Sequence, residues 1–285
     1  INSKWKLEGG WIYKISPRST VKWFHTGESI GINSQGVNVN GTIGDYAGNL
    51  DSKGVGILGL AIQPASGIKL KLFDQYVENI YNSALMQAEW EKPLNGGTIS
   101  SAFQYLRQDV VNDGGNVDPS LAYFDRSNQV NAFGWRMGWQ KKWLQATVNY
   151  QRITKSGRLT SPREWGIEPL FTQLARERNE GLGDVNAIMV KGVGKIPKSR
   201  VILELAYGHY YLPQVENAAL NKYKMPSYRH LKTAVDYDFA GDLEGFHIAF
   251  LYVYKGHLGE KINEPRYLYN KVDMSAYSFV MNYRF

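Results

Sequence analysis

Along much of this 285-residue chain, apolar and polar residues alternate one by one rather than every third or fourth. Alternate residues of a β-strand point to opposite faces, so a period of two marks strands and argues against amphipathic helices over the same stretches. From 274 to 285, Tyr277, Phe279, Met281, Tyr283 and Phe285 fall on one face; Ala276, Ser278, Val280, Asn282 and Arg284 fall on the other. Residues 246–255 set Phe246, Ile248, Phe250, Tyr252 and Tyr254 against His247 and Lys255. Residues 230–239 set Leu231, Thr233, Val235, Tyr237 and Phe239 against His230, Lys232, Asp236 and Asp238.

The pattern predicts twelve strands, at about 4–14, 53–62, 67–77, 82–92, 98–109, 130–140, 143–154, 184–195, 200–211, 230–239, 246–257 and 274–285. Most are close to the roughly 9 to 11 residues that carry a tilted strand across a bilayer, whereas soluble strands are commonly about five or six. Long connections at 15–52, 110–129, 155–183, 212–229 and 258–272 gather on one side, with 78–81 as the short exception; the other side has only tight turns. Short periplasmic turns and long extracellular loops are the habit of outer-membrane barrels. A soluble β-sandwich also alternates, but twelve strands of this length with one-sided long loops disfavour it. The longest apolar runs, such as Val55–Ile62, are under half of the roughly 18 to 20 residues a membrane helix needs. The expected fold is therefore all-β: an antiparallel transmembrane β-barrel, a single domain over 1–285, in the outer membrane of a Gram-negative cell. The 8 Trp, 19 Tyr and 11 Phe then serve lipid and its two interfaces, with Trp5, Trp11, Tyr13, Trp90, Trp139, Trp143, Tyr252 and Tyr283 near strand ends. The absence of cysteine excludes disulfides and thiolate metal sites, and a net charge of +7 without any basic run favours anionic surfaces or solutes over nucleic acid.

The faces opposite the aromatic ones would line the lumen. They carry Lys4, Lys6, Lys69, Lys71, Arg136, Arg200, Lys232, His247, Lys255 and Arg284 against Glu8, Glu89, Glu91, Glu204, Asp236 and Asp238. An excess of one sign selects charge in a pore, although a wet interior lined by charge without tuning is an equal alternative. The densest charge lies in 155–183, with Arg158, Arg163, Glu164, Glu168, Arg176, Glu177, Arg178 and Glu180. Trp165, Ile167, Leu170, Phe171 and Leu174 interrupt it and predict that part of it packs, as a constriction folded into the lumen with arginines held by carboxylates. A solvated extracellular loop is the other reading. Glu177 and Glu180 each sit beside an arginine and read as ion-pair partners rather than a glycosidase pair.

Asp113, Asn116 and Asp118 offer oxygens to a calcium ion, but no glutamate completes an EF-hand and a Gly-rich turn is favoured. The five histidines form no His-x-x-x-His pair and no Gly-x-Ser-x-Gly elbow occurs. No catalytic residue, metal site or cofactor is expected, and the chain is not read as an enzyme.

Pro162-Arg163-Glu164-Trp165-Gly166, then Glu168-Pro169-Leu170-Phe171 and Arg176-Glu177-Arg178-Asn179-Glu180-Gly181-Leu182-Gly183-Asp184, resemble the long-loop signature of OprD-like outer-membrane porins. Tyr283-Arg284-Phe285 resembles the terminal signal of outer-membrane barrels in general. The resemblance implies an eighteen-stranded barrel, monomeric or trimeric and narrowed by inward loops, that passes small polar or charged solutes by diffusion. It assigns the constriction to Arg163, Glu164, Arg176, Glu177, Arg178 and Glu180, and a basic ladder to Arg136, Arg200, Lys232, His247 and Arg284. Twelve strands would match the last two-thirds of such a barrel, the N-terminal strands being absent; a closed twelve-stranded barrel is the alternative. The partners expected are outer-membrane lipid, lipopolysaccharide and small solutes, with a homo-oligomer or envelope complex left open. The alternative function is a non-conducting barrel that acts as a structural or assembly partner.

Overall fold

A computed structural model describes residues 4–18, 20–259 and 272–284. Ile1, residues 260–271 of the last long connection and the terminal Phe285 lie outside the described residues. The alternating stretches form one antiparallel sheet of twelve strands. They are β1 (Trp5–Ile12), β4 (Val55–Ala65), β5 (Ile68–Val77), β6 (Tyr81–Leu94), β7 (Gly97–Val110), β8 (Gln129–Lys141), β9 (Leu144–Ile153), β10 (Val185–Lys195), β11 (Val201–Tyr211), β12 (Tyr228–Asp238), β13 (Phe246–His257) and β14 (Met274–Tyr283). Each pairs with its neighbour in this order, the up-and-down topology that short connections impose. Among the described residues, no register joins β1 to β14. Two short strands that the alternation does not predict, β2 (Lys14–Ile15) and β3 (Phe24–His25), form a separate ribbon in the first long connection.

The register carries the two faces consistently across the sheet. Trp135 pairs with Tyr150, Tyr150 with Ile188, and Ile188 with His209, so these four side chains share a face. Continuing through Tyr207–Leu231, Leu231–Tyr254 and Tyr252–Tyr277, that face gathers the large apolar side chains. Many remain exposed to the surroundings: Leu205 at 58%, Val190 at 54% and Phe279 at 63%. Apolar area on this scale suits contact with hydrocarbon, since in water it would be an aggregation surface.

On the opposite face lie Arg136, Glu204, Lys232, His247 and Lys255, by the same parity. Hydrogen bonds from the loop 154–184 reach this face on β7, β8, β11 and β12, and an ion pair reaches it on β13. Strands stand about 4.8 Å apart, so a flat sheet would hold β7 and β13 about 29 Å from each other. One loop that touches both requires the sheet to curl around it. The face is concave, and its buried cluster of Leu106, Val130, Ile153, Leu170, Leu182, Val185, Tyr210 and Tyr228 joins loop to wall.

The two-face arrangement has a direct test. Leu205→Arg, at mid-strand on the convex face, is expected to lower folding stability in lipid vesicles by about 2–4 kcal/mol. Gln145→Arg, exposed on the concave face, is expected to change it by less than about 1 kcal/mol. Equal losses in equilibrium unfolding would remove the distinction between the faces.

Candidate functional site

The loop 154–184 is positioned by residues that alternate onto the concave face. Gln108 Nε2 on β7 donates to Thr160 O at 2.7 Å, and its Oε1 accepts from Thr160 N at 2.8 Å. Gln104 Nε2 donates to Pro169 O at 2.7 Å. On β8, Arg136 donates to Phe171 O at 3.3 Å, and its guanidinium lies 4.3 Å from the centre of the Phe171 ring. Tyr210 Oη on β11 donates to Thr172 O at 2.6 Å. These bonds satisfy loop carbonyls that packing has removed from water, where each unpaired group would cost about 1–3 kcal/mol.

Glu177 makes the deepest attachment. Its Oε2 is 2.8 Å from His230 Nδ1 and 3.6 Å from Lys255 Nζ, and its Oε1 accepts the Tyr228 hydroxyl. The carboxylate is fully buried. Burial alone would raise its pKa, but Lys255, His230 and Tyr228 outweigh it and hold the Glu177 carboxyl below the usual range. The adjacent Arg178 is not its ion-pair partner, contrary to the expectation from sequence. Arg178 instead braces the loop internally, donating to Gly166 O at 2.8 Å and Arg163 O at 3.0 Å.

Glu180 corrects the same expectation. Its Oε1 accepts from Lys222 Nζ at 2.8 Å and its Oε2 from the Tyr223 hydroxyl at 2.6 Å, across 42 and 43 residues of chain. The Lys222 ammonium stands 4.9, 5.0 and 5.4 Å from the ring centres of Tyr46, Tyr123 and Tyr223. Burial pulls its pKa below the usual lysine range, and Glu180 opposes that pull without overcoming it. Gly36 lets the first long connection join here: at φ +68°, any Cβ would sit 2.4 Å from Lys222 O. Glu164 is also structural, its Oε1 accepting from Asn33 N at 2.8 Å.

Between the loop and the wall of β10–β12 lies a cavity of about 940 Å³. Arg18, Arg163, Arg176, Arg178, Lys191 and Lys232 line it, against the carboxylates of Glu177 and Glu204. Glu204 is bonded to both Lys191 at 2.9 Å and Lys232 at 2.7 Å, and Glu177 is occupied as described. Cationic charge therefore dominates the lining. Arg176 is its exposed loop cation, held at φ +65° in the left-handed region, a strained choice for a residue with a side chain. His247 and Arg200 lie toward the short-turn end, where His247 Nδ1 is 3.0 Å from Asp238 and Arg200 donates to Phe239 O at 2.6 Å. Arg284 follows β14 at that end.

Neither Lys222 nor Tyr223 was legible as a partner of Glu180, because 212–227 has no periodic pattern to place them. Asp113 bonds Arg126 at 2.8 Å and Asp118 caps Ser120 at 2.9 Å, a turn network rather than an ion cage. Among the described residues, no group of three or more His, Asp or Glu is placed to hold a metal.

Glu168 behaves differently from Glu177. It is 3% exposed, Oε1 accepts from Glu180 N at 2.9 Å, and Oε2 has no hydrogen-bond partner among the described residues. Burial pushes its carboxyl up to about 7. From its ordinary 4.5 to about 7, the folded state keeps a proton that the unfolded chain has released. The stability this supplies is complete below the lower value and fades as pH rises through the upper. Glu168→Gln is expected to gain thermal stability relative to wild type as pH is raised from about 5 to about 8. A pH-independent difference in Tm would place this carboxyl in contact with water.

No family model and no curated protein matches the chain. Solved structures do. OccAB4 of Acinetobacter baumannii superposes with a TM-score of 0.69 at 16% identity, over 90% of this chain and 58% of that one. OccK9 (OpdG) of Pseudomonas aeruginosa gives 0.69 at 12%, over 99% and 63%. OccK10 (OpdN) of the same organism gives 0.71 at 10%, over 99% and 69%. The chain thus spans less than two thirds of the length of the first two. These neighbours are OprD-family porins of the Gram-negative outer membrane, not enzymes. At such identities the likeness establishes architecture: the chain has the fold of the OprD-like outer-membrane β-barrels.

Proposed function

We propose that the chain forms the wall of an outer-membrane porin through which small polar or charged solutes diffuse passively past a constriction made by the loop 154–184. The observation that carries this reading is the buried attachment of Glu177 to Tyr228, His230 and Lys255, which holds charged loop residues across the concave face. The cavity beside it has the size of a small-solute passage and a cationic lining. Arg176 is the loop side chain that a passing solute meets. Arg163, Glu164, Glu177, Arg178 and Glu180 shape the constriction from behind, while Arg136, Lys232, Arg200 and Arg284 distribute positive charge along the lumen wall and His247 adds an imidazole there. In this reading further strands pair the edges at β1 and β14, since an edge in hydrocarbon leaves its N–H and C=O groups unsatisfied. Outer-membrane lipid surrounds the convex face.

Planar-bilayer recording tests the proposal. The protein is expected to give stepwise, ohmic conductance; silence across salts and voltages would favour a structural or assembly role. Arg176→Ala is expected to shift the reversal potential in a salt gradient toward cation selectivity, and an unchanged potential would place Arg176 away from the solute path.

Glu177→Ala leaves His230 and Lys255 buried without their counter-charge, a loss of about 3–5 kcal/mol. The loop is then expected to detach, with larger and noisier unitary conductance. Unaltered conductance in a folded variant would show that the loop does not limit flow.

A further inference from the structure

The convex face changes character at the rim next to the long connections. Below the rim it is aliphatic and aromatic; at the rim it carries Arg107 on β7, Arg152 on β9 and Arg229 on β12, all outward by register. Two of the three are matched by carboxylates. Arg107 binds Asp109 at 2.7 Å, and Arg152 binds Asp184 at 2.5 Å. Arg229 is exposed and has no carboxylate within ion-pair range among the described residues.

Its surroundings are arranged around it. Arg229 is registered with His209 on one side and Gly256 on the other. A Cβ at Gly256 would lie 3.1 Å from Arg229 Nε and 2.6 Å from the Tyr254 hydroxyl, so glycine there leaves the guanidinium room to lie over β13. His209 Nε2 is 2.9 Å from the Tyr207 hydroxyl and Nδ1 is 3.3 Å from that of Tyr211, so both phenols are tied to the residue registered opposite Arg229. An unmatched guanidinium facing the acyl chains would be costly at mid-bilayer and tolerable only at headgroup level. There the abundant complement to its forked donors is a phosphate, which it can grip through two parallel hydrogen bonds.

We propose that Arg229, flanked by His209, Tyr211 and the opening over Gly256, is a binding site on the outer wall for the phosphate headgroup of an outer-leaflet lipid. The site faces away from the lumen and is independent of conduction. Arg107 and Arg152 do not duplicate it, because their charge is already met within the wall.

Native mass spectrometry of the purified protein in detergent provides the test, with diphosphorylated lipid A, its dephosphorylated form and inorganic phosphate as separate probes. Wild type is expected to retain diphosphorylated lipid A and not the dephosphorylated form. Arg229→Gln is expected to retain it roughly fivefold to tenfold less well, and Arg107→Gln as well as wild type. Equal retention by Arg229→Gln, or equal loss in Arg107→Gln, would overturn the assignment. Displacement of the lipid by millimolar inorganic phosphate would overturn it in favour of a soluble anion. Arg229→Gln is expected to conduct as wild type does; a protein that retains lipid but never conducts would sink the porin reading and leave this site standing.

Discussion

A backbone placed in hydrocarbon has no water to satisfy its N–H and C=O groups, so strands in a membrane must pair with strands. Every other property of this sheet hangs on that pairing. Once Trp135 is opposite Tyr150 and Tyr150 opposite Ile188, the face of each residue across the sheet is settled by counting in twos. Charge is thereby directed to one side and aromatic area to the other. The concave chemistry from Arg136 to Lys255 and the convex rim from Arg107 to Arg229 are two readings of one register.

The loop 154–184 shows how environment, not residue type, decides what a carboxyl does. Glu168 and Glu177 belong to the same segment and both are buried. Glu177 meets an ammonium, an imidazole and a phenol, which favour its charge; Glu168 meets one backbone N–H, and burial favours its proton. One is an anchor that works as an anion, and the other a carboxyl that burial keeps protonated well above its ordinary range. With Glu177 engaged by Lys255 and Glu204 by Lys191 and Lys232, the cationic character of the cavity rests with its arginines.

Much of this was legible in the sequence, because strand alternation is a local property. The twelve strands of the sheet follow the period of two closely, and the residues placed on polar faces, such as Lys232 and His247, share the concave side. The packing of 154–184 was signalled by Leu170, Phe171 and Leu174, which a solvated loop would not need. The partners of its carboxylates were not signalled. Neighbouring arginines were the obvious candidates for Glu177 and Glu180, yet the partners found are His230, 53 residues away, and Lys222, 42 away. Such pairings depend on how the sheet curls, which no short window records. The ribbon of β2 and β3 escaped for a related reason: two residues per strand are too few to show a period.

The caged ammonium of Lys222 touches three connections at once, through Tyr46 in the first, Tyr123 in the second, and Glu180 in the charged loop. Its backbone adds to the weld, with Val37 N donating to Lys222 O at 2.9 Å and Lys222 N to Gly181 O at 2.8 Å. These three connections and the one that carries Lys222 are accordingly one folded cap and not a set of independent tethers. Long surface connections are where sequence variation ordinarily accumulates. Here that freedom is confined to the tips, because an exchange at any buried contact must be answered in two other segments of the chain.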